Sequence, residues 1–289
     1  MGCQDYPLRS VLYVPGDNPR ALDKIAELNP DAVILDLEDG VNPDERGEAR
    51  ARIAEVLASP PNGIYLTVRV NPVGSEWVKD DLNCLLDNPP HAIVFPKIGT
   101  TLEMEKVEVL LSERGIDGGV KLWAMIETPI GVLNSREIAF STPRLECLVM
   151  GTSDLVKDLH AAHTLDRSPV LYSLSQCVLA ARARGMSIID GVHIGLMDMP
   201  GYLAACQQGA DLGFDGKTII HPVQLKGANA AFGPDEKAIK KAEKIVAAFK
   251  AARKARKGVT VVDGKLVEIL DVEAAERSLN LARKIAAKS

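Results

Sequence analysis

Aromatic side chains make up only 4% of the 289 residues, although hydrophobic residues together reach 46%. The interior must therefore be filled mainly by Ala, Val, Ile and Leu, which suits parallel strands buried on both faces. Basic charge is not in excess either, with 34 Lys and Arg against 39 Asp and Glu and a net charge of −5. That balance gives the molecule as a whole no electrostatic attraction for nucleic acid. No apolar run approaches the roughly 18 residues of a membrane span. The opening MGCQDYPLRS has no apolar stretch behind a basic start and lacks the Ser or Thr of an acylation motif, so neither a secretory signal nor a lipid anchor is expected. Cysteine is sparse and scattered: Cys3, Cys84, Cys147, Cys177 and Cys206 contain no CxxC pair. An odd number without metal spacing reads as reduced structural thiols in a cytoplasmic protein.

What is present is a rhythm. Short apolar or β-branched runs recur as RSVLYVP (9–15), AVILDLED (32–39), IYLTVRVN (64–71), AIVFPKI (92–98), KLWAMIET (121–128), ECLVMGTSDL (146–155), SIIDGV (187–192) and FDGKTIIHP (214–222). Spacings of roughly 20 to 35 residues suit βα units, since hairpins need only a few residues between strands. The stretches between them carry helix signals. Asn18 is a candidate N-cap with Pro19 at the first helical position. Acids open PDERGEARARIAEVLA ahead of Ile53, Val56 and Leu57, and Gly185 closes SLSQCVLAARARG. Eight such units predict a (β/α)₈ TIM barrel over residues 1–232. A doubly wound open sheet is the alternative, but no GxGxxG follows the first strand. Residues 233–289 differ in character, with a basic helix over 234–258, a DG turn and a final helix. They read as a C-terminal helical extension packing on the barrel or on a neighbouring subunit.

Barrel chemistry sits at the C-terminal ends of the strands. Those ends carry Asp36, Glu38, Asp39, Arg69, Asn71, Lys97, Glu127, Asp154 and Asp190. So many acids on one rim would be costly unpaired, and a cation would relieve the excess. Mg²⁺ commonly takes one or two carboxylates and keeps open positions for water and substrate oxygens, which makes Glu127 and Asp154 candidate ligands. Spacing alone leaves open their pairing with helix N-termini or rim arginines. The period of two places Asp36 and Glu38 on one face, either as acceptors for metal-bound water or as ion-pair partners of Arg69 or Lys97. Arg69 is either a bidentate carboxylate binder or that structural partner. His160 and His163 lack an acidic signature for zinc, and His221 reads as a strand-end hydrogen-bonding residue. The basic stretch 237–257 reads as a solvated face.

Taken in order, RSVLYVPGDNPRALDKIAEL, DAVILDLEDGV, VRVNP, IVFPKI, AMIETPIGVLN, MGTSDLVKDL, IIDGVH and LGFDGKTIIHPVQL resemble the HpcH/HpaI aldolase and citrate lyase family, in particular its citrate lyase beta-subunit and malyl-CoA lyase branch. The resemblance implies a TIM barrel assembled as a homotrimer or hexamer, with Mg²⁺ as cofactor on Glu127 and Asp154. It implies that Arg69 holds the ketoacid fragment and the developing enolate. It also places the loop Pro15, Gly16, Asn18, Arg20 near coenzyme A. The implied reaction is a retro-Claisen cleavage of a malyl- or citramalyl-CoA type substrate, with Arg69, Glu38 and Glu268 as the expected catalytic set.

Two departures stand out. Family lyases carry D-G-x-M-I/V-D in the tail and offer its last acid to a neighbouring subunit's site, whereas this chain reads Asp263-Gly264-Lys265-Leu266-Val267-Glu268. A Lys common after the LED motif is Arg46 here, which keeps the charge and changes the donor geometry. The other activities compatible with the sequence are citryl-ACP cleavage within a citrate lyase complex and malyl-CoA thioester hydrolysis. A non-catalytic binding protein on the same scaffold is the reading from another class.

Overall fold

The computed structural model of the chain describes residues 2–116, 118–254 and 260–288. Two compact units divide the chain, Met1–Phe232 and Gly233–Ser289. In the first, eight strands close a barrel in the order β1-β2-β3-β4-β5-β6-β7-β8. They are β1 Ser10–Pro15, β2 Ala32–Asp36, β3 Tyr65–Arg69, β4 Ala92–Phe95, β5 Lys121–Ile126, β6 Leu145–Met150, β7 Ser187–Asp190 and β8 Gly216–Ile219. All neighbours are parallel, and β1 pairs with β8 to complete the circle. The (β/α)₈ expectation is therefore met, and the open sheet is excluded.

Alternation along each strand builds two apolar layers. Val33, Leu35, Val68 and Leu148 face outward into the cluster that the surrounding helices cover. Val11, Ile34, Tyr65, Val94, Trp123 and Val149 fill the barrel interior. The scarce aromatics are spent there: the rings of Tyr65 and Trp123 stack at 5.8 Å. Glu146 accepts hydrogen bonds from both the Tyr65 hydroxyl and the Trp123 indole, and its other oxygen accepts from the Cys3 amide at 3.0 Å. The N-terminal segment thereby caps the barrel floor, and one half-buried carboxylate satisfies three donors.

Helix punctuation follows the expected chemistry. Asn18 accepts from the Ala21 amide at 3.1 Å with Pro19 opening the helix Pro19–Asp23, and Gly185 ends the helix Leu171–Arg184 at φ 72°. Ile53 and Leu57 of Arg46–Ala58 are buried as their spacing predicts. Every strand after β1 stops short of its apolar run, so Glu38, Lys97 and Glu127 lie just beyond strand ends. Asp154 is displaced furthest: β6 ends at Met150, and Asp154 sits in the first turn of the helix Thr152–Asp158. The apolar run 146–155 spans two elements because Leu155 is buried under the helix while Leu148 and Met150 are buried from the strand.

In the second unit, the helix Glu236–Lys254 carries the basic stretch, and its anticipated continuation over 255–258 lies outside the described residues. A hairpin of β9 Thr260–Val262 and β10 Lys265–Val267 follows. Its two-residue turn has Asp263 at φ 48° and Gly264 at φ 78°, the paired left-handed geometry that favours Asp-Gly. The helix Ile269–Lys288 starts four residues before the predicted EAAERSLNLARKIAAK, and Val246, Val267, Val272 and Ala275 form this unit's own small core. Among the described residues no helix is long and apolar enough to cross a membrane.

Candidate functional site

A cavity of about 300 Å³ opens where the strands end, walled by Tyr13, Pro15, Asp36, Arg69, Met125, Glu127, the strand-to-helix junction 150–154, Val192 and Thr218. It is the position at which barrel loops gather functional groups. Of the predicted residues, Pro15, Arg69, Glu127 and Asp154 line it directly.

Arg69 is buried, with 8% of its surface exposed, and is clamped from beneath. Its Nε and Nη2 each donate to Asp36 at 2.6 Å, and Nη1 lies 2.8 Å from Glu38 Oε2. That third contact is an ion pair without hydrogen-bond alignment. The guanidinium also stands 4.9 Å over the Tyr13 ring. Asp36 is fixed in turn by the Glu38 and Gly40 amides, each at 3.0 Å. Asp36 thus holds Arg69 in a fork through both of its carboxylate oxygens. Glu38 bridges two cations, since Lys97 Nζ donates to its Oε1 at 2.8 Å. Burial nevertheless raises the Glu38 pKa, an effect that Arg69 and Lys97 oppose.

Glu127 is 2% exposed, and its pKa is pushed up to about 7, first by burial and then by the nearby charge of Glu38, with Asp154 adding to the rise. The Lys97 amide donates to Glu127 Oε1 at 2.8 Å. On the opposite side, a Cβ on Gly151 would come within 2.4 Å of Glu127 Oε2. The glycine of the G-T-S-D stretch is therefore required by the approach of this carboxylate. Two acids that repel each other across one cavity, with no side-chain cation at hydrogen-bonding distance among the described residues, suit a hard divalent cation. Among the described residues no cluster of three or more His, Cys, Asp or Glu could hold a metal. A two-carboxylate set is what Mg²⁺ takes when water and substrate supply its other oxygens, so the donors present fit that ion.

A further rim acid, Asp190, is consumed structurally. It is fully buried and receives Arg167 Nη1 through both carboxylate oxygens and Lys217 Nζ at 2.8 Å. Around the predicted cofactor loop, Pro15 reaches the cavity wall while Gly16 packs beneath it, and Asn18 and Arg20 are exposed. Glu268 belongs to the second unit, is exposed, and donates its amide to Asp271 at 2.9 Å. Arg46 lies 3.8 Å over the Trp77 ring, so its flat guanidinium is used for stacking. His160 and His163 are both exposed, and His221 caps the Val223 amide at 3.2 Å, a local hydrogen-bonding role as predicted. Spacing did not single out Tyr13, Met125 or the backbone of Lys97. The first two are apolar strand positions, and the third acts through a main-chain atom that carries no sequence signature.

The model of the HpcH/HpaI aldolase/citrate lyase family matches residues 9–222. A (3S)-malyl-CoA thioesterase of Cereibacter sphaeroides is 44% identical over 288 residues, covering 99% of each chain. The mitochondrial citramalyl-CoA lyase of Homo sapiens is 32% identical, covering 98% of this chain and 87% of that one. Among solved structures, protein CitE from Mycobacterium tuberculosis in complex with magnesium, acetoacetate and coenzyme A superposes with a TM-score of 0.77 at 27% identity, covering 95% of this chain and 97% of that one. With the family model matching most of the barrel and a relative 44% identical along the whole chain, this chain belongs to the HpcH/HpaI aldolase/citrate lyase family.

Proposed function

We propose that the protein is a Mg²⁺-dependent carbon–carbon lyase that cleaves a citramalyl-CoA or malyl-CoA type thioester to acetyl-CoA and pyruvate or glyoxylate. The observation that carries this reading is the pair Glu127 and Asp154 facing one cavity beside the clamped Arg69. Glu127 and Asp154 would hold the ion. When bound, Mg²⁺ supplies Lewis acidity to substrate oxygens and eases ionisation of a bound hydroxyl.

The chain's own groups do the rest. Loss of the hydroxyl proton turns the carbinol carbon into the ketoacid carbonyl. The electrons of the breaking C–C bond pass to the acetyl thioester as an enolate, and protonation of its carbon gives acetyl-CoA. Arg69 offers a preoriented positive charge to the developing oxyanion, and removal of such a donor costs about 3–4 kcal/mol of barrier. Glu38 steadies Arg69 and Lys97. Glu268 is assigned the proton transfer, delivered from the second unit of a neighbouring subunit in a homotrimer or hexamer. Leu165, Ile194 and Met197, apolar and exposed on the loops after β6 and β7, support an assembly that covers them. Pro15, Gly16, Asn18 and Arg20 form the coenzyme A contact. The five free thiols suit the cytoplasm.

Hydrolysis of the thioester is a second reading, favoured by the 44% identity to the (3S)-malyl-CoA thioesterase along the whole chain. Product analysis separates the two. Incubation of malyl-CoA and citramalyl-CoA with Mg²⁺ is expected to release glyoxylate and pyruvate respectively. Free malate or citramalate without ketoacid would establish hydrolysis instead.

A further inference from the structure

Lys97 holds the least comfortable backbone conformation near the cavity. It follows β4 and Pro96 at φ 57°, in the left-handed region that side chains rarely occupy. The strand register accounts for the need. Phe95 still pairs with Ala124 on β5, and pairing resumes when the Ile98 amide donates to Met125 O at 3.2 Å. Pro96 has no amide to give. The turn at Lys97 takes its own amide out of the strand ladder and directs it at Glu127 Oε1, 2.8 Å away. An extended residue here would keep its N–H in the ladder direction and leave that carboxylate oxygen without this donor.

The side chain of the same residue works in the other direction. Its ammonium donates to Glu38 Oε1 at 2.8 Å and lies 3.8 Å from Asp39. Glu38 is the acid that stands against Arg69 Nη1. One residue therefore touches both halves of the site, the metal-side acid through its main chain and the arginine-side acid through its charge. Gly151 closes on Glu127 from the opposite side, so the carboxylate is held between a donor and a wall.

We propose that Lys97 is a positioning residue whose left-handed backbone orients Glu127 for Mg²⁺ while its ammonium separately sets the Glu38–Arg69 pair. This inference rests on the metal reading of Glu127 and Asp154. It makes the two roles separable by substitution. Lys97→Gly and Lys97→Asn remove the ammonium yet tolerate the left-handed conformation, whereas β-branched Lys97→Val removes the ammonium and disfavours that conformation.

Calorimetric titration of Mg²⁺ into each variant is expected to leave the Gly and Asn forms within about threefold of wild type and to weaken the Val form by about tenfold or more, as for loss of an outer-shell partner. Turnover falls in all three. Equal affinities in the Gly and Val forms, with a wild type that binds Mg²⁺, would overturn the inference alone; no binding to the wild type would overturn it together with the metal reading. A metal-free readout covers a Val form that fails to fold. The Lys97 amide should exchange slowly with solvent deuterium in wild type and Glu127→Gln, and about tenfold faster in Glu127→Ala. Unchanged exchange in Glu127→Ala would also overturn the inference.

Discussion

Gly151 stands so close to Glu127 that a Cβ on it would lie 2.4 Å from both Cβ and Oε2 of the glutamate. With φ at −95°, this glycine is not required by backbone conformation. It is required by space. Gly151→Ala must therefore displace the Glu127 carboxylate or the start of the helix Thr152–Asp158, at a stability cost of about 1–3 kcal/mol typical of overpacking. Mg²⁺ affinity is expected to drop about tenfold or more, measured by calorimetry on variant protein that still melts cooperatively.

The clamp on Arg69 gives a second prediction. Lys cannot reproduce the two 2.6 Å contacts that Asp36 receives from Nε and Nη2. Arg69→Lys is expected to lower kcat by about 10²–10³, in line with loss of an oxyanion donor. Arg69→Gln leaves Asp36 and Glu38 as buried acids without this cation, and its thermal midpoint should fall well below that of the Lys variant, since breaking a buried pair costs about 3–5 kcal/mol. Equal midpoints would contradict the structural half of Arg69's role.

The pH dependence follows from Glu127. Its folded pKa of about 7 lies above the ordinary 4.5, because burial and the Glu38 charge disfavour the carboxylate. A raised acid favours the fold in its neutral form, so the metal-free protein gains stability below 4.5 and loses it as pH rises towards 7. Mg²⁺ requires the carboxylate, so binding below pH 7 must release a proton. Apparent affinity should rise by up to about tenfold per pH unit until near 7 and then level off. Glu127→Gln removes this stability trend, which thermal melts of wild type and variant between pH 5 and 8 will register.

Glu268 provides the fourth prediction. Glu268→Gln is expected to lower kcat by about 10²–10⁴, the span of general acid–base catalysis, with little change in Mg²⁺ affinity. Glu268→Asp should retain more activity than Glu268→Gln because the acid is kept. Wild-type turnover by the Gln variant would remove Glu268 from the reaction.

Much of the fold was legible in the sequence because apolar runs alternating with helix signals are a direct print of βα units. Strand ends were less legible. In the run 146–155 the Gly151-Thr152-Ser153-Asp154 stretch reads equally as a strand-end loop or a helix start, and Leu155 is buried in the next element as thoroughly as Leu148 is in the strand. That masked the helical placement of Asp154. The cavity residues Arg69, Glu127 and Asp154 were found as charged groups at the ends of apolar strands. The partner of Arg69 was ambiguous because Asp36 and Glu38 share a face and periodicity cannot assign one acid to the fork. Asp190 was read simply as another strand-end acid, and its pairing with Arg167 and Lys217, both distant in sequence, could not be read from spacing. The Lys97 amide left no trace at all, because a main-chain donor is the same in every residue but proline.

Glu127 and Asp154 are proposed to serve a lyase. The most direct test is to follow ketoacid release from malyl-CoA and citramalyl-CoA by the wild-type protein with Mg²⁺, with excess EDTA, and with Glu127→Gln. Acetyl-CoA and ketoacid are expected in equal amounts with Mg²⁺, and almost none in the other two. Ketoacid release that survives EDTA or Glu127→Gln, or free hydroxyacid and coenzyme A in place of ketoacid, would contradict it.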